Sequence, residues 1–151
     1  MKYEEAKLKA EQTLCFLEPY VKKAEVVGSI RRECEIVNDV DIILIPNEKF
    51  TLIVNSLNPR TKGDKLIIYE LEGVQYDLYI CNEENYEVIK LIRTGSKEHN
   101  KKLCILAIGK GLSLKAGGIG LVDKEGKIVS NTERGILENL LNKYIEPKDR
   151  K

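Results

Sequence analysis

Two aspartates at spacing i, i+2, Asp39 and Asp41, stand at the mouth of an apolar run, Ile42-Ile43-Leu44-Ile45. A short apolar run bounded by polar residues reads as a buried strand, and a strand puts residues two apart on the same side. The two carboxylates are therefore expected to project together, roughly 7 Å apart at a rise of about 3.3 Å per residue. Like charges beside apolar surface are costly unless a cation neutralises them. A divalent ion is the natural partner, because hard cations take carboxylate oxygens. Upstream, a second strand-like stretch over 24–28 runs into Gly28-Ser29, with Arg31 and Arg32 just beyond. A strand, a Gly-Ser turn and a helical turn at 29–33 would offer backbone N–H groups to a phosphate, with arginine charge beside them. Either element alone is ordinary turn chemistry. In this order they combine a phosphate grip with metal carboxylates, which is the equipment of nucleotidyl transfer.

A chain of 151 residues with 42% hydrophobic and 32% charged residues is long enough for one domain or two small lobes. The net charge of +1 gives no global sign of a polyanion partner. Between Val88 and Leu121, however, stand Lys90, Arg93, Lys97, Lys101, Lys102, Lys110 and Lys115 against Glu98, a local basic face. Cys15, Cys34, Cys81 and Cys104 are scattered and His99 is the single histidine, which argues against a zinc site. Reduced, mostly buried thiols suit an intracellular protein, cytoplasmic or in a nucleoid or viral factory. No apolar run approaches a membrane span, so no membrane partner is expected.

Along the chain, Ala6, Leu8, Ala10, Leu14, Cys15 and Leu17 predict an amphipathic helix over 3–17, ended by Pro19. A strand is expected at 39–46, a helical pattern at 48–57 and a loop at 58–64. Residues 65–71 and 74–81 read as a hairpin turning at Glu72-Gly73. Asp77 falls in the second strand on the face of Gln75 and Tyr79, a poor place for a carboxylate. It becomes intelligible if this strand lies beside 39–46 and Asp77 joins Asp39 and Asp41. A helix over 86–92, a Thr94-Gly95-Ser96 turn and a helix from Lys97 to about Lys110 with Ser96 as N-cap follow. A small hairpin is expected from 112–114 and 119–122 with 115–118 between them. A turn at 123–126, a last helix from Thr132-Glu133 to Leu141 and a polar tail through Arg150 complete the chain.

With these residues placed, nearly the whole chain resembles the catalytic portion of a family X DNA polymerase, the group of DNA polymerase beta. Gly28-Ser29-x-Arg31-Arg32, Asp39-x-Asp41 and Asp77 match the family's phosphate turn and three metal carboxylates. Thr94-Gly95-Ser96-x-x-x-Asn100 matches its nucleotide-pocket turn and helix, Gly111-Leu112-Ser113-Leu114 the hairpin that follows, and Thr132-Glu133 with Tyr144–Arg150 the end of the polymerase core. The resemblance implies an α+β fold. A nucleotidyltransferase palm (a mixed sheet with flanking helices) over 1–83 would be followed by a small helix-and-hairpin C-terminal lobe over 84–151, without a lyase or helix-hairpin-helix domain.

The function so implied is DNA-directed addition of dNTPs to a primer 3′-hydroxyl at gapped or primer–template DNA, by a monomer using two Mg²⁺ ions, or Mn²⁺ in their place. Asp39 and Asp41 would hold both ions and Asp77 one. Gly28, Ser29 and Arg32 would hold the triphosphate, whose oxygens suit a planar arginine fork. Thr94, Gly95 and Ser96 would line the sugar and Asn100 the base edge, with Lys97, His99, Lys101 and Lys102 on DNA. Ile92 and Arg93 replace the aromatic pair usual before Thr-Gly-Ser, which bears on sugar discrimination. Cys104 replaces a template-reading arginine. Two competing classes share part of this pattern: a small nucleotidyltransferase acting on RNA, protein or a small molecule, and a non-catalytic DNA-end-binding module.

Overall fold

In the computed structural model, which describes residues 1–115 and 117–151, the chain divides into two compact units, Met1–Asn82 and Glu83–Lys151. The first is built on a five-stranded mixed sheet and the second on helices with a three-stranded antiparallel sheet, an α+β arrangement. Among the described residues no helix is long and apolar enough to cross a membrane.

In the first unit, α1 (Tyr3–Leu17) leads through a 3-10 turn containing Pro19 into β1 (Val21–Val26). Helix α2 (Gly28–Arg31) follows, then β2 (Asp39–Pro46), α3 (Thr51–Val54), β3 (Thr61–Lys62), β4 (Leu66–Leu71) and β5 (Val74–Ile80). The sheet order is β1-β2-β5-β4-β3, with β2 and β5 parallel and the other pairs antiparallel. Val40, Ile42 and Leu44 alternate along β2 into a core with Leu78, Tyr76, Tyr69 and Ile67. The intervening positions, Asp39 and Asp41, fall on the opposite face because the side-chain period of a strand is two.

Three expectations need correction here. The buried stripe of α1 is Ala6, Ala10, Thr13 and Leu17, while Leu8 is 56% exposed and Cys15 is exposed. This stripe follows the i, i+4, i+7, i+11 spacing, and Leu8, two residues from both Ala6 and Ala10, falls on the opposite side of the helix and is turned outward. The first strand begins earlier than the stretch 24–28 and stops before Gly28, which instead opens α2. The loop expected over 58–64 contains β3, an edge strand paired at Thr61–Ile68 and Lys62–Ile67.

In the second unit, α4 (Tyr86–Thr94) and α5 (Lys97–Gly109) precede β6 (Ser113–Lys115), β7 (Gly120–Val122), β8 (Ile128–Ser130) and α6 (Glu133–Leu141). The third strand, β8, extends the expected hairpin. The connection expected over 115–118 includes Ala116, which lies outside the described residues. Val88, Leu91, Leu103, Ala107, Leu121, Ile136 and Leu137 form a separate core. Ser96 caps α5 as the sequence reading has it, accepting from the His99 N–H, and Thr132, read as the start of the last helix, is the cap of α6, accepting from the Gly135 N–H.

The polar tail is not simply solvated. Arg150 is 1% exposed, its Nη1 donating to Glu133 Oε2 at 2.9 Å and its Nε to the Ile145 carbonyl at 2.9 Å. The pair bridges residues 17 apart in sequence, further than a local tail pairing.

Candidate active site

Parallel pairing sets Asp41 directly across from Asp77 and Asp39 across from Gln75. The three carboxylates therefore share one face at neighbouring register positions, as the alternation of both strands requires. Asp41 carries the largest electrostatic load. Burial, the Asp77 charge and the Asp39 charge together push its carboxyl up to about 7, against the lowering effects of the Tyr79 hydroxyl and Arg32. Asp39 is also raised, by burial and Asp77, with Arg60 acting the other way.

Neutral donors tie the set together. Tyr79 Oη lies 3.3 Å from Asp41 Oδ1 and 3.4 Å from Asp77 Oδ2, and Gln75 Nε2 donates to Asp77 Oδ1 at 2.8 Å. Arg60 Nη2 in turn donates to Gln75 Oε1 at 2.7 Å. Among the described residues no three His, Cys, Asp or Glu side chains stand converged as a metal cage. The donor chemistry nevertheless suits a hard divalent cation. Every charged group on this face of the two strands is a carboxylate, and a cation would relieve the repulsion that raises Asp39 and Asp41.

Residue 28 is fixed as glycine by this arrangement. Its φ is +66°, in the left-handed region, and a Cβ there would overlap the Asp41 carboxylate. The Val27 N–H donates to the Asp41 carbonyl at 2.9 Å, so the turn that opens α2 is pinned to β2 beside the carboxylates. Ser29 is half-buried on this turn. Arg32 lies close enough to act on the Asp41 charge.

The residues expected to form the nucleotide pocket lie in the second unit, around the junction of α4 and α5. Thr94 does not line an open surface. It is fully buried as the last residue of α4, and its hydroxyl donates to the Lys90 carbonyl at 2.6 Å, the i−4 bond that a helical threonine makes readily. Gly95, at φ +71°, makes the break between the helices, and Ser96 is engaged as the α5 cap. Asn100 Nδ2 donates to the Ile92 carbonyl at 2.8 Å, leaving Oδ1 buried without a hydrogen-bond partner.

His99, expected on DNA, is 4% exposed with neither ring nitrogen hydrogen-bonded. Burial, Arg150 and Lys102 hold it down to about 4. Its place on the inward side of α5, one turn before Leu103, removes it from the surface. Lys97, Lys101 and Lys102 are exposed.

The sequence reading passed over Arg60, Gln75 and Tyr79. Gln75 and Tyr79 flank Asp77 at i−2 and i+2, so strand periodicity was the available signal. Arg60 had none, since nothing local says a loop arginine will reach across β4.

Comparison with known proteins adds to this geometry. Residues 90–151 match the family model described as DNA polymerase beta thumb. The structure of Leishmania infantum polymerase beta in a ternary P/T complex is similar over 100% of this chain and 76% of that one, with a TM-score of 0.78 and 16% identity. No curated protein matches in sequence. The chain thus carries a segment similar to the polymerase beta thumb and shares the fold of polymerase beta.

Proposed function

We propose that this polymerase beta-like chain is a DNA-directed DNA polymerase that extends a primer 3′-hydroxyl in short-gap synthesis. The observation that carries the reading is the Asp41–Asp77 register on parallel strands, with Asp39 on the same face and the Gly28 turn against Asp41. Asp39, Asp41 and Asp77 would hold two divalent ions, which when bound supply charge stabilisation to the reacting phosphate and lower the pKa of the attacking hydroxyl. The chain's own groups do the rest. Gly28 and Ser29 offer backbone and hydroxyl donors to the leaving phosphates, and Arg32 offers a planar fork to their oxygens. Asp77 accepts the proton of the primer hydroxyl. Asn100 Oδ1, already without a partner, accepts from the edge of the incoming base. Gly95 and Ser96 bound the sugar, while the exposed Lys97, Lys101 and Lys102 bind DNA phosphate. The thumb match over 90–151 supports a polymerase over a nucleotidyltransferase with some other acceptor.

Primer extension on a one-nucleotide gapped duplex, with Mg²⁺ or Mn²⁺ and matched dNTPs or rNTPs, tests this. Templated addition is expected. Asp77→Asn should reduce it by at least about 1,000-fold while DNA binding persists, since several kcal/mol of charge stabilisation are lost at about 1.4 kcal/mol per tenfold. Full activity in Asp77→Asn would remove Asp77 from the site. A wild-type chain that binds the duplex and adds nothing would point to another acceptor.

A further inference from the structure

We infer that Arg60 and Gln75 form a positioning relay for the carboxylates, Arg60 fixing the Gln75 amide and Gln75 holding Asp77. The inference rests on the reading of Asp39, Asp41 and Asp77 as metal ligands and names the groups that set their geometry.

Arg60 stands just ahead of β3, its N–H donating to the Ile68 carbonyl at 2.8 Å, so the sheet edge anchors its backbone. From there its guanidinium reaches Gln75 Oε1 at 2.7 Å, and Gln75 Nε2 reaches Asp77 Oδ1 at 2.8 Å. The direction of this chain of bonds is forced. A guanidinium has donors and no acceptor, so the amide must turn its oxygen to Arg60. Its NH₂ then faces Asp77, where an ionised carboxylate can only accept.

With Oδ1 pinned by Gln75, Asp77 Oδ2 is left on the side of Tyr79, whose hydroxyl also approaches Asp41. Gln75 is also the register partner of Asp39, so one amide lies beside two of the three carboxylates. Groups that orient metal ligands from behind typically change metal affinity by about 10–100-fold when removed.

The relay makes a prediction opposite in sign to simple electrostatics. By charge alone, deleting a cation near a cation site strengthens metal binding. If Arg60 acts by orientation, deleting it weakens binding. The experiment follows Mn²⁺ uptake by the whole chain without nucleic acid, using the paramagnetic resonance of free Mn²⁺. It also records the Mg²⁺ dependence of primer extension.

Arg60→Met and Gln75→Met are each expected to weaken Mn²⁺ binding by about tenfold and raise the Mg²⁺ requirement in parallel. Arg60→Lys, also a donor without an acceptor, should stay within about threefold of wild type. Lys62→Met, which deletes a neighbouring surface cation bonded to Asn55, should not weaken binding. Equal or tighter Mn²⁺ binding in Arg60→Met and Gln75→Met, with wild type binding Mn²⁺ and extending primer, overturns the relay alone. A wild-type chain that takes up no Mn²⁺ and extends no primer overturns the metal-ligand reading and the relay with it.

Discussion

The two units use charge in opposite ways. In Met1–Asn82, like charges are neighbours: three carboxylates share one sheet face, and burial together with the Asp77 charge raises the proton affinity of Asp39 and Asp41. In Glu83–Lys151, opposite charges are buried together: Glu133 and Arg150 are almost fully enclosed and hydrogen-bonded, with the Tyr144 hydroxyl 3.4 Å from Glu133 Oε1. The first arrangement is a standing cost that suits a face meant to receive a cation. The second is a hydrogen-bonded ion pair that fastens the end of the chain to α6, although Arg150 Nη2 is buried without a partner. A cluster of like charges therefore points to a ligand, whereas a completed pair points to architecture.

The sharpest way to break this contrast is to cut the buried pair. Arg150→Met leaves Glu133 buried without its counterion and should cost about 3–5 kcal/mol, read from urea unfolding. The double variant Glu133→Gln with Arg150→Met should recover part of that loss, because no unpaired charge remains. A single variant as stable as wild type would mean that the pair does not hold the tail.

A somewhat smaller effect separates the units by pH. Asp41, raised to about 7, keeps its proton in the folded state at pH values where the unfolded chain has lost it. Its contribution therefore falls as pH rises from about 4 to 7. His99, held down to about 4, stays neutral where the unfolded chain's imidazole is already charged. Its contribution is complete above about pH 6.5 and is lost as pH falls toward 4. At about 1.4 kcal/mol per unit, the full extents are roughly 4 kcal/mol for Asp41 and roughly 3 kcal/mol for His99, with opposite signs, so they largely cancel in the wild-type chain. Urea unfolding between pH 4.5 and 7.5 should show stability falling with pH in His99→Phe and rising with pH in Asp41→Asn. Parallel profiles in the two variants would contradict the assignment.

The smallest effect concerns the exposed lysines. Replacing Lys97, Lys101 or Lys102 by alanine should each reduce the log–log salt slope of DNA binding by about 0.9 for every phosphate that the lysine neutralises. An unchanged slope would take that lysine off the interface.

Legibility in the sequence also divides between the units. The carboxylate face could be read because strand periodicity is exact, and placing Asp77 needed only the guess that two strands are neighbours. The cap at Ser96 was readable because a cap is set by its immediate neighbours. What escaped depended on tertiary reach. Nothing near Arg150 announces burial, since a run of polar residues at a chain end ordinarily reads as solvated. His99 and Thr94 were assigned outward because the motif around them was legible and their helical phase relative to the core was not. In α1 the error was to count Leu8 by its apolarity, whereas helical phase puts Ala6, Ala10, Thr13 and Leu17 on the buried side.

The parallel pairing of β2 with β5 also governs when the chain becomes competent. Parallel neighbours cannot be joined by a tight turn, and here α3, β3 and β4 intervene before β5 returns beside β2. Asp41 thus meets Asp77 only after that closure entropy has been overcome, whereas the β4–β5 hairpin can zip locally beforehand. Assembly of the carboxylate trio is a late event in maturation. A nascent chain still emerging from the ribosome carries Asp39 and Asp41 long before it has the partner that completes them.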